Sequence, residues 1–345
     1  MSPSLRALAV SLLLLAAAAP ARAQWEVVEP GGDTACSDGS PFRFFVHPGD
    51  PGKLLVEFEG GGACWNDETC ASAIYTRRIA TDPEQARRLG LLVGMYDRSN
   101  PRNPFRDWTH VYIPYCTGDL HWGNAVRTYQ GPAGPYTVHH RGAANASVAL
   151  AWVSENVPPP SQLFVTGCSA GGYGAILWAP RLMARYPAAT AAHLSDSAAG
   201  VVPPGFFAVP LANWDPSAAW PSEIPGLDLG SLDAARFTLA DFYTAVATHH
   251  PGAAFGQFNA LADSTQVFFY GLTGGSPVAS EWSAGMVSSV EAIKGANPNF
   301  FAYLAPGAQH CIINAPSFYT TTVGGTSFVD WIARLAGGGR PGHVP

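Results

Sequence analysis

The sequence predicts an α/β fold, a doubly wound and mostly parallel sheet with helices packed on both faces. Two observations carry this expectation. Short apolar runs recur at 53–58, 110–115, 163–166, 193–195, 266–270 and 300–304, and most are continuous rather than alternating. Strands buried on both faces of a parallel sheet read in that way. Between them lie longer segments of helical character, at 143–156, 170–185, 232–249, 281–296 and 327–335. Strand alternating with helix implies βαβ units, whose right-handed crossovers put helices on both sides of the sheet. No repeat and no low-complexity linker divides the chain, so residues 24–345 are expected to form a single domain.

Composition narrows the class. With 47% hydrophobic and 13% charged residues, the 345-residue chain has ample material for a core. A formal net charge of −6 with only 19 Lys and Arg argues against a surface that tracks phosphates, so no nucleic-acid partner is expected. Residues 1–23 read as a signal peptide. Arg6 gives a sparse positive start, residues 7–19 are apolar, and Ala21-Arg22-Ala23 is an A-x-A cleavage site. The chain is therefore expected to be secreted or periplasmic after cleavage near Ala23. No later run approaches the length of a membrane span, so no membrane association is expected, and the protein is expected to act as a monomer. In an oxidising setting, the even set Cys36, Cys64, Cys70, Cys116, Cys168 and Cys311 allows up to three disulfides. The pairs His139-His140 and His249-His250 have no Cys or carboxylate at ligand spacing, so they read as solvated. Neither a metal nor a cofactor is expected.

The chemistry is concentrated at Gly167-Cys168-Ser169-Ala170-Gly171, a G-x-S-x-G. The run at 163–166 precedes it as a strand and a helix follows it. That is the strand–turn–helix of a nucleophile elbow, with flanking glycines because the turn leaves no room for side chains. A serine nucleophile needs a base, and the base needs an orienting acid. His310 follows a late strand in a Pro-Gly loop and is the candidate base. Two carboxylates compete for the acid: Asp263, in Leu261-Ala262-Asp263-Ser264-Thr265-Gln266, and Asp196, at the end of the strand after the nucleophile helix. Glu59-Gly60-Gly61-Gly62 follows an early strand, where esterases place a second oxyanion donor. Gly61 and Gly62, joined by Ala170, form the candidate oxyanion hole. The Pro-rich stretch 201–230, with Phe206, Phe207, Trp214 and Trp220, reads either as a surface insertion or as a lid or wall over a cleft.

These motifs resemble a known family. Phe58-Glu59-Gly60-Gly61-Gly62-Ala63-Cys64-Trp65, Pro114-Tyr115-Cys116-Thr117-Gly118-Asp119, the elbow, Leu194-Ser195-Asp196-Ser197 and Asp263-Ser264-Thr265-Gln266 match, in order, segments of the pectin acetylesterases and the related Notum carboxylesterases. The resemblance implies an α/β-hydrolase with a Ser169–Asp263–His310 triad, and it selects Asp263 over Asp196. It implies removal of acyl groups, commonly acetyl, from hydroxyls, with an acetylated carbohydrate as the expected substrate. Trp65, Trp122 and Asp196 are then expected near the substrate. An exposed aromatic cleft from Trp122, Trp214 and Trp220 would instead suit aryl or polymeric esters of the feruloyl, tannin or polyester type. A secreted binding module that has lost activity is the non-enzymatic alternative. The arrangement Cys168-Ser169 with His310-Cys311 also resembles that of tannases and feruloyl esterases. There a bond ties the two catalytic loops, as the proximity that a working triad demands would permit. On that pairing Cys64 joins Cys70 across a short loop, and Cys36 is left for Cys116. Asn145-Ala146-Ser147 is a formal glycosylation sequon.

Overall fold

A computed structural model describes residues 24–345, so the signal-peptide reading of residues 1–23 lies outside the described residues. The chain runs through β1 (Glu26–Val28), β2 (Phe44–His47), β3 (Asp50–Phe58), β4 (Trp108–Ile113), β5 (Ala125–Gly131), β6 (Gly134–His140), β7 (Gln162–Cys168), β8 (Thr190–Asp196), β9 (Ala254–Ala260) and β10 (Phe300–Ala305). All but β5 and β6 join one eight-stranded sheet in the order β1-β2-β4-β3-β7-β8-β9-β10. The first two pairings are antiparallel and the other five are parallel, so the sheet is mixed but mostly parallel, as the sequence predicts. β5 and β6 pair only with each other as a hairpin.

The continuous apolar strands divide their side chains between two cores. Leu54, Val56 and Phe58 of β3 join one core, and Leu55 joins the other. On the first face lie α1 (Gly142–Asn156), α2 (Ala170–Arg185), α3 (Leu239–His249) and α5 (Ala279–Ala296), with α4 (Ser264–Leu272) packed at its edge. The second face is covered by α6 (Phe328–Ala336), which buries Phe328, Trp331, Ile332 and Leu335. Ile, Leu, Val and Phe at every strand position thus find an apolar partner on whichever face they point to.

Three expectations need correction. The run at 266–270 is not a strand but the middle of α4. Its Val267-Phe268-Phe269-Tyr270 reads as β by composition, yet Asp263 caps the helix by accepting from the Thr265 and Gln266 amides, each at 3.0 Å. The parallel strand in that region is β9, whose Ala-Phe-Gly-Gln-Phe-Asn-Ala is too small and polar to stand out. His140 is not solvated. It is fully buried, with Nδ1 donating to the Thr117 carbonyl at 3.0 Å and Nε2 taking the Tyr129 hydroxyl at 2.9 Å. The Asn145 sequon side chain is also buried, exchanging hydrogen bonds with the backbone of Ala35 at 3.0 and 3.1 Å, which leaves no room for a glycan on the folded protein.

Candidate active site

The parallel strands end together, and the chemistry-bearing loops leave from their carboxyl ends. β7 stops at Cys168, Ser169 adopts φ 56° and ψ −125°, and α2 begins at Ala170. A non-glycine residue held at positive φ costs on the order of 1–3 kcal/mol and persists only where its surroundings dictate it. The surroundings here are tight. A Cβ on Gly171 would strike the Phe58 carbonyl of β3, and one on Gly60 would strike the Cys168 carbonyl. The first two elements of the site, the glycine loop and the elbow, therefore touch through bare backbone.

The glycine loop leaves β3 at Glu59 and is pinned from two directions. His121 Nε2 lies 2.9 Å from the Glu59 carbonyl oxygen, while the buried Glu59 carboxylate accepts the Tyr115 amide at 2.9 Å and the Thr81 hydroxyl at 2.5 Å. Gly62, at φ 76°, shares a cavity wall with Ser169, Ala170 and His310. Gly61 sits further back, against Tyr115 and Thr76. Among the described residues, the amides of Gly61, Gly62 and Ala170 have no backbone acceptor, so all three remain available as donors.

Asp263 is fully buried at the start of α4, and both its oxygens face His310 Nδ1, at 3.0 and 2.9 Å. Gln266 Nε2 donates to the same carboxylate at 3.1 Å. An acceptor pair on Nδ1 fixes the proton there and leaves Nε2 as the basic nitrogen, the tautomer being inferred from this network. His310 is partly exposed on the cavity wall that also carries Ser169.

Asp196 takes another place. It is fully buried and does not line the cavity, so it cannot contact substrate as the sequence reading expected. Its Oδ2 accepts the amides of Ile312 and Ile313 at 2.7 and 2.8 Å, just beyond His310. Burial pushes its carboxyl up to about 6, against the pull of those two amides.

The cavity beside Ser169 and His310 is partly open to solvent. Trp65 is on its wall as expected. Trp122 is not: its ring is fully buried between Phe207 and Phe242, and its Nε1 donates to the Tyr173 carbonyl at 3.0 Å. Trp220 is also core, and only the edge of Trp214 reaches the cavity, so the exposed aromatic cleft is not formed by these three. The wall comes instead from Tyr173 of α2, Val201, Val202 and Phe206 of the Pro-rich stretch, and Phe269 and Trp282. Sequence reasoning missed Tyr173, Phe269 and Trp282, although a residue four after Ser169 on the same helix is a readable signal.

Three disulfides join Cys36 to Cys116, Cys64 to Cys70 and Cys168 to Cys311. The last links the residues flanking Ser169 and His310, with Cα atoms 5.7 Å apart. Two cysteine–histidine groupings have metal-like proximity, Cys64/Cys70/His140 and Cys168/Cys311/His310. In each, both sulfurs are committed to a disulfide.

A mostly parallel sheet with a strained serine between strand and helix, and an Asp–His pair from later loops, is the layout of an α/β-hydrolase. The family profile for pectinacetylesterase matches residues 17–204, more than half of the chain. Palmitoleoyl-protein carboxylesterase NOTUM of Schmidtea mediterranea is 30% identical over 158 residues, which cover 44% of this chain and 28% of that protein. NOTUM of Homo sapiens is 26% identical over 174 residues, 47% of this chain and 33% of that protein. The aligned stretches thus span about a third or less of these relatives' own length. The crystal structure of the Wnt deacylase Notum from Drosophila superposes with a TM-score of 0.65 at 17% identity, covering 94% of this chain and 96% of that one, a likeness of fold. The chain belongs to the pectinacetylesterase family.

Proposed function

We propose that the protein is a secreted serine carboxylic-ester hydrolase, made as a precursor with a signal peptide at residues 1–23. The observation that carries the activity is that Ser169 and an Asp263-bound His310 line the same cavity. In this mechanism His310 Nε2 takes the proton of Ser169 Oγ as it attacks the ester carbonyl. The oxyanion is met by the amides of Ala170 and Gly62, with Gly61 behind. The helix N-terminus adds positive potential. The imidazolium returns its proton to the leaving alcohol. A water deprotonated by the same nitrogen then releases the acid. An intact set of Ser, His and Asp weighs against an inactive binding module.

Within this class, the apolar wall of Val201, Val202, Phe206, Phe269 and Trp282 favours an ester with a sizeable apolar or aromatic group beside the carbonyl. Val201, Val202 and Phe206 make the start of the Pro-rich stretch part of that wall. A polysaccharide deacetylase, which the family's description supports, is the second reading. Chromogenic esters from two to sixteen carbons, run beside acetate release from acetylated polysaccharides, separate the two. The first reading expects kcat/KM to rise beyond acetate. A maximum at acetate with release from a polysaccharide favours the second, and no hydrolysis of any ester rejects both.

A further inference from the structure

We infer that Asp196 is a positioning residue that holds the nucleophile loop and the histidine loop at a fixed separation, acting through backbone groups of both. This rests on the Ser169–His310 reading. Asp196 ends β8 in register with Cys168 of β7. Its main-chain carbonyl accepts the Ser169 amide at 2.8 Å. Its side chain reaches the other way, where Oδ2 receives the consecutive amides of Ile312 and Ile313. Its neighbour Ser197 completes the link. The Ser197 hydroxyl donates to Asp196 Oδ1 at 3.1 Å and accepts the Cys311 amide at 2.9 Å.

Three of the few non-glycine residues at positive φ meet here, Ser169 at 56°, Ser197 at 56° and Cys311 at 62°. The Cys168–Cys311 bond joins the same two loops at a single point through side chains. Asp196 and Ser197 supply directional hydrogen bonds to the three residues after His310, and directional bonds are what fix the imidazole's approach to Ser169. The carboxylate does not touch the imidazole through a hydrogen bond, because both Asp263 oxygens occupy Nδ1.

The test compares Asp196→Ala with Asp196→Asn on a chromogenic ester, with Ser169→Ala as the reference for the underlying reading. Asparagine keeps an oxygen that can take both amides, and alanine keeps none. Asp196→Ala is expected to lower kcat by about 10²-fold, the cost of a misplaced catalytic group, with KM changed less than about threefold. Asp196→Asn is expected to recover most of that loss. A kcat for Asp196→Ala near wild type overturns the inference. So does an Asp196→Asn as damaged as the alanine variant, which would mean that the charge matters and not the acceptor geometry. If Asp196→Ala does not fold, Ser197→Ala takes its place and must lower kcat with KM held. Unchanged kcat there overturns the inference as well. Activity surviving in Ser169→Ala would instead remove the reading on which the inference stands.

Discussion

Asp263 serves three partners with two oxygens: the amides that start α4, the Gln266 side chain and His310 Nδ1. The helix cap contributes about 1 kcal/mol, and the histidine contact sets the tautomer. These roles separate by substitution. Asp263→Asn can keep its oxygen on the cap and must then offer an N–H to Nδ1, so the imidazole loses its basic Nε2. We expect kcat to fall by about 10⁴-fold with little change in the melting temperature. A loss below about tenfold would contradict the role given to Asp263. Gly171→Ala makes the complementary case, because its methyl would strike the Phe58 carbonyl. A thermal melt should show destabilisation of about 1–3 kcal/mol or more, since the obstacle is backbone and cannot rotate away.

At the scale of elements, the strongest restraint on the site is the bond between the end of β7 and the loop after β10. Cys168 and Cys311 are separated by 143 residues, and Cys64 and Cys70 by 6. In the chain-entropy model closing the long loop stabilises the fold by about 5 kcal/mol and the short one by about 2. Serine pairs at each site, compared by denaturant unfolding, should rank in that order. The reverse ranking would show that local strain or residual structure outweighs loop length. How far these elements could be read from sequence follows from their chemistry. β3, β4, β7 and β10 were legible from their runs of Val, Ile, Leu, Phe and Tyr, β8 more weakly around Leu194, and α2 because a glycine-bounded serine precedes a largely apolar segment. β9 was not, since Gly256, Gln257 and Asn259 dilute its pattern, and α4 reads as a strand because its cap lies outside its apolar run. Ser169 and His310 were marked out as candidates by motif and loop context, and Asp263 by the family resemblance. The cavity wall and the part played by Asp196 depend on which buried face a residue reaches, and one-dimensional spacing does not carry that.

Across the whole molecule, burial leaves several titratable groups out of step with the unfolded chain. Glu57 and His110 form a fully buried pair, Oε2 to Nε2 at 2.8 Å, with the Tyr96 hydroxyl donating to the other oxygen. Burial pushes the Glu57 carboxyl up to about 8 and holds His110 well below the usual histidine range, so the pair is neutral at pH 6. A carboxyl whose folded value exceeds its unfolded 4.5 binds protons better when folded. Its effect on stability therefore becomes unfavourable as pH rises from about 4.5 to about 8. His121 and His140, lowered by burial to about 4, act in the opposite sense, and their contribution is lost as pH falls from 6.5 toward 4. Glu57→Gln mimics the protonated acid, with its amide donating to His110. In urea unfolding at pH 4.5 and pH 8, the variant should nearly match wild type at the lower value and exceed it at the higher, because wild type alone pays for the buried carboxyl between them. Equal loss at both values would contradict a neutral Glu57. The central claim is more direct still, that Ser169 carries the acyl group. Stopping the reaction with a slowly hydrolysed chromogenic ester and mapping the adduct by peptide mass spectrometry tests it. We expect one acyl group on the peptide containing Ser169 and none in Ser169→Ala, which should also lose hydrolysis. An adduct on another residue, or hydrolysis retained by Ser169→Ala, would contradict it.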